Sequence, residues 1–319
     1  MLRYLLLSLI IAITFIAFFS SYFVWKLVLE IFSHFQVQYL IISFILFAFL
    51  IIISSSWKLI TIALFCIAIT STQILSFYIP ASALSTNSAS NLKIISSNVN
   101  TQNHEYDKLI SLVRQTKPDL ALFMEVDKNW TDKLDSLKDI LPYSFGRANP
   151  FNLGIVIYSK IPLNNPTINL FGTSKNYTIL TDLKINKKVI SLIATHPLPP
   201  LKPSFFHSRN LQLSKISQYI KNLHNPVIVL GDLNTTMWSP YYKKFIRDTK
   251  LINARKGFGI LPSWPTRTTY KNIIPDWMQL MLSIPIDHCL VSPKIKVVDI
   301  YTGSAIGSDH LPLIVKLTI

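Results

Sequence analysis

The chain has 319 residues, half of them hydrophobic, with 31 Lys and Arg against 16 Asp and Glu and a formal net charge of +15. That length holds one large domain plus an accessory region, and the apolar fraction is high for a soluble protein, its excess crowded near the N-terminus, where membrane spans compete with a signal peptide followed by buried core helices. Its two cysteines, Cys66 and Cys289, lie in apolar runs far apart, which excludes a disulfide framework and a cysteine-based zinc cluster.

Residues 4–25 carry no charge, and residues 37–56 and 59–79 are nearly as apolar. About 20 apolar residues cross the hydrocarbon core of a bilayer, so residues 1–79 are expected to form an anchor of three transmembrane helices. A cleaved signal peptide would show a short apolar region ending in small residues, whereas here the stretch stays bulky to its end. Arg3 before the first span and Lys58 between the second and third put the N-terminus inside by the positive-inside rule; Lys26 and Glu30 cancel in the intervening loop. An odd number of spans then leaves everything beyond residue 79 on the outer side. PASALSTNSASN, residues 80–91, has no hydrophobic period and reads as a linker.

From residue 92 the texture changes to short strands alternating with amphipathic helices. Strands are expected over residues 92–99 and 119–124, each followed by a helix, at 104–116 and 127–141. Strands follow at 154–158, 177–185 and 188–195, the last two joined by a turn at Asn186-Lys187. A helix over 205–223, a strand over 227–230 and a helix near 241–248 come next, and strands at 286–291, 296–301 and 313–317 close the chain. Hairpin-linked strands mixed with helices imply two packed sheets with helices outside. This region, residues 92–319, holds 28 Lys and Arg against 15 Asp and Glu, a net +13 that attracts polyanions: nucleic acid or an anionic membrane surface.

Polar residues gather at the predicted strand ends. Asn98 ends the first and Glu125 the second. His196 follows 188–195, and Gly231-Asp232-Leu233-Asn234 follows 227–230. Asp287 opens the strand at 286, and Ser308-Asp309-His310 precedes the last. Each alone has a bland explanation, since Asp and Asn cap turns and short motifs match by chance. Together they would supply oxygen ligands for a hard cation such as Mg²⁺ and acid–base groups in one cleft.

The ordered set Asn98, Glu125, His196, Gly-Asp-Leu-Asn at 231–234, Ile-Asp-His at 286–288 and Ser-Asp-His-Leu-Pro at 308–312 resembles the endonuclease/exonuclease/phosphatase superfamily. That family includes pancreatic-type deoxyribonucleases, neutral sphingomyelinases and inositol polyphosphate 5-phosphatases, and the preceding spans look most like a bacterial membrane-anchored subgroup. The resemblance implies a four-layered α–β–β–α sandwich, two packed mixed sheets flanked by helices, over residues 92–319. It also implies a divalent metal, Mg²⁺ or its common substitute Mn²⁺, bound by Glu125 with Asn98 and Asp309 nearby. By the same carry-over Asp232 would activate the attacking water, Asn234 would hold the phosphate, and His310, oriented by Asp287, would contact it. His196 would serve acid–base work. Arg147, Asn152 and Arg209 are weaker candidates for the phosphate path, with surface solvation as the alternative.

The chain departs from the family in places. Met124 stands where many members have Gln before the metal-binding Glu. Asn100 and the sequence PLPPLKP after His196 replace features of abasic-site endonucleases, which argues against abasic-DNA repair. The resulting expectation is a metal-dependent phosphodiesterase in the inner membrane of a bacterium, with its catalytic domain outside the cytoplasm. Its substrate is nucleic acid, with endonuclease-like chemistry, or alternatively a phospholipid or sphingolipid headgroup. A catalytically dead, membrane-tethered binding module is the reading from another class, and loss of a motif residue would mark it; none is lost. One stretch is left over, residues 273–285. Its apolar residues, including Trp277, suit either a helix covering a sheet edge or a loop dipping into the membrane interface.

Overall fold

The computed structural model describes residues 1–23, 25–79, 90–173, 176–267, 269–270 and 273–319. Residues 80–89 of the expected linker lie outside the described residues.

Three helices are long and apolar enough to cross a membrane: α1 (Leu2–Tyr22), the stretch Leu27–Ile53, and α4 (Trp57–Leu75). The middle stretch is a short helix α2 (Leu27–Glu30), a 3₁₀ turn (Ile31–Phe35) and a long helix α3 (Gln36–Ile53). The three pack through Leu7, Ile10, Leu50, Ala63 and Cys66. Bulky side chains point outward, with Phe15 63%, Phe65 67% and Ile52 79% exposed. Water would penalise that arrangement at about 25 cal/mol per Å² of apolar surface; hydrocarbon does not.

Beyond the spans, two six-stranded sheets pack face to face. The first has the order β11 (Lys296–Thr302), β12 (Leu313–Thr318), β1 (Leu92–Asn98), β2 (Leu120–Met124), β4 (Ile155–Ser159), β3 (Tyr143–Arg147). The second runs β5 (Asn164–Asn169), β6 (Thr178–Ile185), β7 (Lys188–Thr195), β8 (Val227–Asp232), β10 (Asp287–Val291), β9 (Ile252–Asn253). Side chains alternate between faces along a strand, and in the central strands both faces are buried. On β2, Leu120, Leu122 and Met124 enter the core between the sheets, while Ala121 and Phe123 meet the outer helices. On β8, Ile228 and Leu230 point between the sheets, and Val227 and Val229 point outward. These strands therefore read as continuous apolar runs.

Helices α5 (Tyr106–Thr116) and α6 (Lys128–Leu134) cover the first sheet through Leu109, Val113, Trp130 and Leu134. Helices α7 (Pro203–Lys221) and α8 (Pro240–Thr249) cover the second through Leu213, Ile216, Tyr242 and Phe245. The expected four layers are present. The helix expected over 127–141 is shorter, because α6 gives way after Leu134 to a 3₁₀ turn at Asp135–Leu137.

The three apolar helices are not held apart from this sandwich. Glu30 and Arg209 form an ion pair with both side chains wholly buried. Trp238 Nε1 donates to the Gln73 carbonyl (2.8 Å), the Tyr241 hydroxyl donates to the Trp25 carbonyl (2.7 Å), and Gly257 and Gly259 N–H groups both donate to the Phe77 carbonyl. This corrects the expectation that Glu30 offsets Lys26 in a solvated loop. A carboxylate removed from water needs a cation and hydrogen-bond donors, and Glu30 finds them in Arg209, Ser239 and Thr235.

Candidate active site

Strand direction brings the motif residues together. β1 and β2 are parallel, as are β7 and β8, so Asn98, Glu125, His196 and Asp232 all lie at C-terminal ends on one edge of the sandwich. β10 runs antiparallel to β8, so Asp287 at its start faces Asp232 in register. β12 runs antiparallel to β1, which delivers Asp309 and His310 to the same edge from the preceding loop.

Two tight spots hold the geometry. Gly231 has φ +142°, and a Cβ there would stand 2.0 Å from the Thr195 carbonyl oxygen. The glycine lets β8 close against the end of β7, next to His196. Glu125 adopts φ 60°, a left-handed conformation costly for a side chain. Its N–H bonded to the Gly154 carbonyl (2.8 Å) and its carbonyl bonded by the Thr101 hydroxyl (2.7 Å) hold it there.

Asn98 is the hub. Its Nδ2 donates to Glu125 Oε1 (2.9 Å) and Asp232 Oδ2 (3.4 Å) and lies 3.5 Å from His310 Nε2. Its Oδ1 accepts from the Asn100 backbone, so Asn98 orients the Glu125 carboxylate. Asp232 Oδ1 accepts from the Asn234 N–H (2.8 Å), and the Asp232 N–H donates to Met124 Sδ (3.1 Å). The unexpected methionine thus supports the strand end that carries Asp232. Asn234 donates Nδ2 to the Pro197 carbonyl (2.9 Å).

His310 Nδ1 stands 2.8 Å from Asp287 Oδ2, and its Nε2 is 3.7 Å from Asp232 Oδ2. Burial works against its charged form, but Asp287, Asp232 and Asp309 outweigh that and raise its pKa to about 10. Asp287 shows the counterpart: burial pushes its carboxyl up, the His310 charge and hydrogen bond pull it further down, and the net direction is below the usual range. His196 Nε2 lies 3.5 Å from Asp232 Oδ2 and 3.8 Å from Glu125 Oε1. Burial lowers its pKa and the two carboxylates raise it, with the rise prevailing. Neither nitrogen of this buried ring has a hydrogen-bond partner among the described residues. Asp309 is aimed by Asn100 Nδ2 (2.9 Å) and Trp264 Nε1 (3.1 Å). Trp264 gave no signal in the sequence, since its role depends on a loop folded back against residue 309.

The donor set fits a hard divalent cation. Glu125 and Asp309 line one cavity with Asp232. Burial holds the Glu125 carboxyl above its ordinary pKa despite the opposing His196, Asn98 and His310, a penalty that a dication relieves. Asp232, Asp287 and His310 also offer ligand atoms within 4.8 Å of one another. The 2.8 Å contact between Asp287 and His310 engages two of those three, leaving Glu125 as the better anchor for a metal.

The weaker candidates fall elsewhere. Arg209 lies beneath the site: its guanidinium is wholly buried, bound to Glu30 and donating Nη1 to the Asn234 carbonyl (2.9 Å). It supports the catalytic turn from behind because Glu30 claims its charge. Arg147 is exposed at the end of β3 with its guanidinium over the Tyr177 ring, and Asn152 is exposed in a turn. Neither lines the cavity.

A family model described as the endonuclease/exonuclease/phosphatase family matches residues 95–310. No curated protein matches the sequence. Among solved structures, D. rerio TDP2 complexed with single-strand DNA product aligns over 72% of this chain and 99% of its own, with TM-score 0.58 and 16% identity. Sphingomyelinase C from Streptomyces griseocarneus aligns over 72% and 99%, with TM-score 0.52 and 16% identity. An endonuclease/exonuclease/phosphatase protein from Beutenbergia cavernae aligns over 72% of each chain, with TM-score 0.56 and 15% identity. At such identities the likeness is one of fold.

Proposed function

Because the chain belongs to the endonuclease/exonuclease/phosphatase family of phosphoester hydrolases, we propose that it is a membrane-embedded phosphodiesterase in which water attacks the phosphorus directly. The observation that carries this reading is the meeting of Asp232, on the cavity floor, with two histidines, His196 at 3.5 Å and His310 at 3.7 Å. A divalent cation, Mg²⁺ with Mn²⁺ as substitute, held by Glu125 with Asn98 and Asp309 close by, would supply Lewis-acid charge to the phosphate.

The chain's own groups divide the remaining work. Asp232 orients the water and takes its proton. His310, held protonated by Asp287, directs its Nε2–H at a phosphate oxygen, where fixed charge counts for more than in water. Asn234 has a second amide hydrogen to offer the phosphate besides the one given to Pro197. His196, its pKa raised by Asp232 and Glu125 against the pull of burial, gives a proton to the leaving oxygen.

The three apolar helices and the cation pattern support an inner-membrane location in a bacterium with the catalytic domain on the outer side. The loop after α1 and the end of α4 both touch the sandwich, which suits three spans with both ends of that face on one side. The test of the chemistry uses the full chain in detergent and a soluble aryl phosphodiester. EDTA should abolish hydrolysis and Mg²⁺ restore it, and Asp232→Asn and Glu125→Ala should each lose about 10²-fold or more. Full rate in EDTA, or an Asp232→Asn enzyme as fast as wild type, overturns the reading.

A further inference from the structure

The active-site cavity, about 420 Å³, has a polar floor and apolar walls. Glu125, Asp232, Asn234, Asp309 and His310 form the floor. The walls come from three places: Ile31 and Phe35 of the 3₁₀ turn that leads into α3, Pro199 and Leu201 after β7, and Ile284 and Ile286 before β10. His34 of the same turn also lines the cavity, its Nδ1 2.9 Å from the Thr236 hydroxyl. The anchor therefore closes one side of the site, and the buried Glu30–Arg209 pair fixes it there.

Resting on the phosphodiesterase reading, we propose that this pocket binds a lipid phosphodiester standing in the bilayer, its phosphate on the catalytic floor and its chain against the anchor wall. Two further observations carry the choice of lipid over nucleic acid. Among the described residues no Lys or Arg lines the cavity, whereas a nucleic-acid path needs cations along the backbone. The segment just before the lining residues Ile284 and Ile286 is apolar and exposed: in and beside the short helix α9 (Asp276–Met281), Ile273 is 79% exposed, Trp277 61% and Met281 46%. Gln38, in the first turn of α3, donates Nε2 to the Met281 carbonyl (2.8 Å), so this segment sits beside the start of α3. Of the two readings of residues 273–285, exposure favours the interfacial one, since an edge-covering helix would bury Trp277. An amphiphile reaching the site from the bilayer would slide its chain along apolar side chains throughout. A soluble diester would leave those walls facing water.

The experiment measures kcat/KM of the full chain, in lipid nanodiscs with Mg²⁺, on phosphatidylglycerol, phosphatidylcholine and sphingomyelin, each set beside its chain-free headgroup diester, and on short single-stranded DNA. At least one bilayer diester should exceed its chain-free counterpart by about 10²-fold or more, the scale of burying apolar side-chain-sized groups. Phe35→Ala and Ile31→Ala should each cut that ratio about tenfold. If either variant fails to fold, the wild-type ratio decides alone. Equal rates with and without the chain, or DNA cleaved faster than every lipid, overturn the proposal. If the soluble aryl diester is hydrolysed and no lipid is, only this inference falls; if neither is hydrolysed, the phosphodiesterase reading falls with it.

Discussion

Replacing Arg209 by Met strands Glu30. In the native chain the Glu30 carboxylate is wholly buried, with Arg209 Nη2 at 2.8 and 3.0 Å from its two oxygens and the Ser239 hydroxyl bonded to one of them. Once the guanidinium is gone, the nearest cationic candidate is His34, whose Nε2 is 4.0 Å away. Breaking a buried pair from one side costs about 3–5 kcal/mol, and for a domain of this size about 1 kcal/mol moves Tm by about 2–4 °C. Arg209→Met and Glu30→Leu should therefore each lower Tm by about 6–20 °C. The double variant Glu30→Leu/Arg209→Met leaves no charge unpaired and should recover most of the loss, because an apolar pair of similar volume often matches a buried ion pair. Thermal unfolding of the full chain in detergent, followed by tryptophan fluorescence, reads all four corners of the cycle. Single changes that cost under about 1 kcal/mol, or a double variant as unstable as the sum of the singles, would falsify the claim that the anchor and sandwich are joined through a desolvated charge pair.

Asp287→Asn removes the carboxylate that keeps His310 protonated against the pull of burial. The variant should lose about 10²-fold in kcat, and its alkaline limb should fall at lower pH than that of wild type under the same metal; an unmoved limb would argue that His310 acts uncharged. His288 makes the opposite case: burial, then the neighbouring Arg255, lower its pKa from 6.5 to about 3, and Nε2 lies 2.8 Å from the Thr235 carbonyl. Only the unfolded chain takes up this proton between those values, so stability should decline as pH falls from 6.5 toward 3, at up to about 1.4 kcal/mol per unit. His288→Gln should flatten that decline in acid melts, and an unchanged slope would assign it to other groups. For orientation, a cysteine placed within residues 80–91 should react with an impermeant maleimide once any outer membrane is opened. Labelling only after the inner membrane is broken would reverse the sidedness.

The parts legible in the sequence share a physical cause: they are fixed by local pattern. The spans follow from runs of uncharged residues, and β2 and β8 from apolar runs closed by Glu125 and Asp232. The strands β3, β5 and β9 escaped for want of a pattern and not for lying at a sheet edge, since β11 is an edge strand too. Tyr143–Arg147 is largely exposed, and Asn164–Asn169 carries Pro166, so neither shows an apolar alternation. The site's convergence was legible only as a set, since each motif residue alone could cap a turn. The sequence offered Arg209 for a phosphate path, and Glu30, the carboxylate it pairs with, lies 179 residues away. The one trace of that pairing was Glu30 itself, an acid standing among Leu27, Val28, Leu29 and Ile31.

The separation of Glu30 from Arg209 also has a consequence for the order of synthesis. The anchor leaves the ribosome first, and its carboxylate must wait for most of the chain before its cation arrives. The turn at Asn234, which Arg209 holds through a carbonyl, is complete only after that meeting. A sandwich translated without the N-terminal helices would bury an unpaired guanidinium behind the turn at Asn234. Completion of the turn at Asn234 is thereby linked to the docking of helices made long before it.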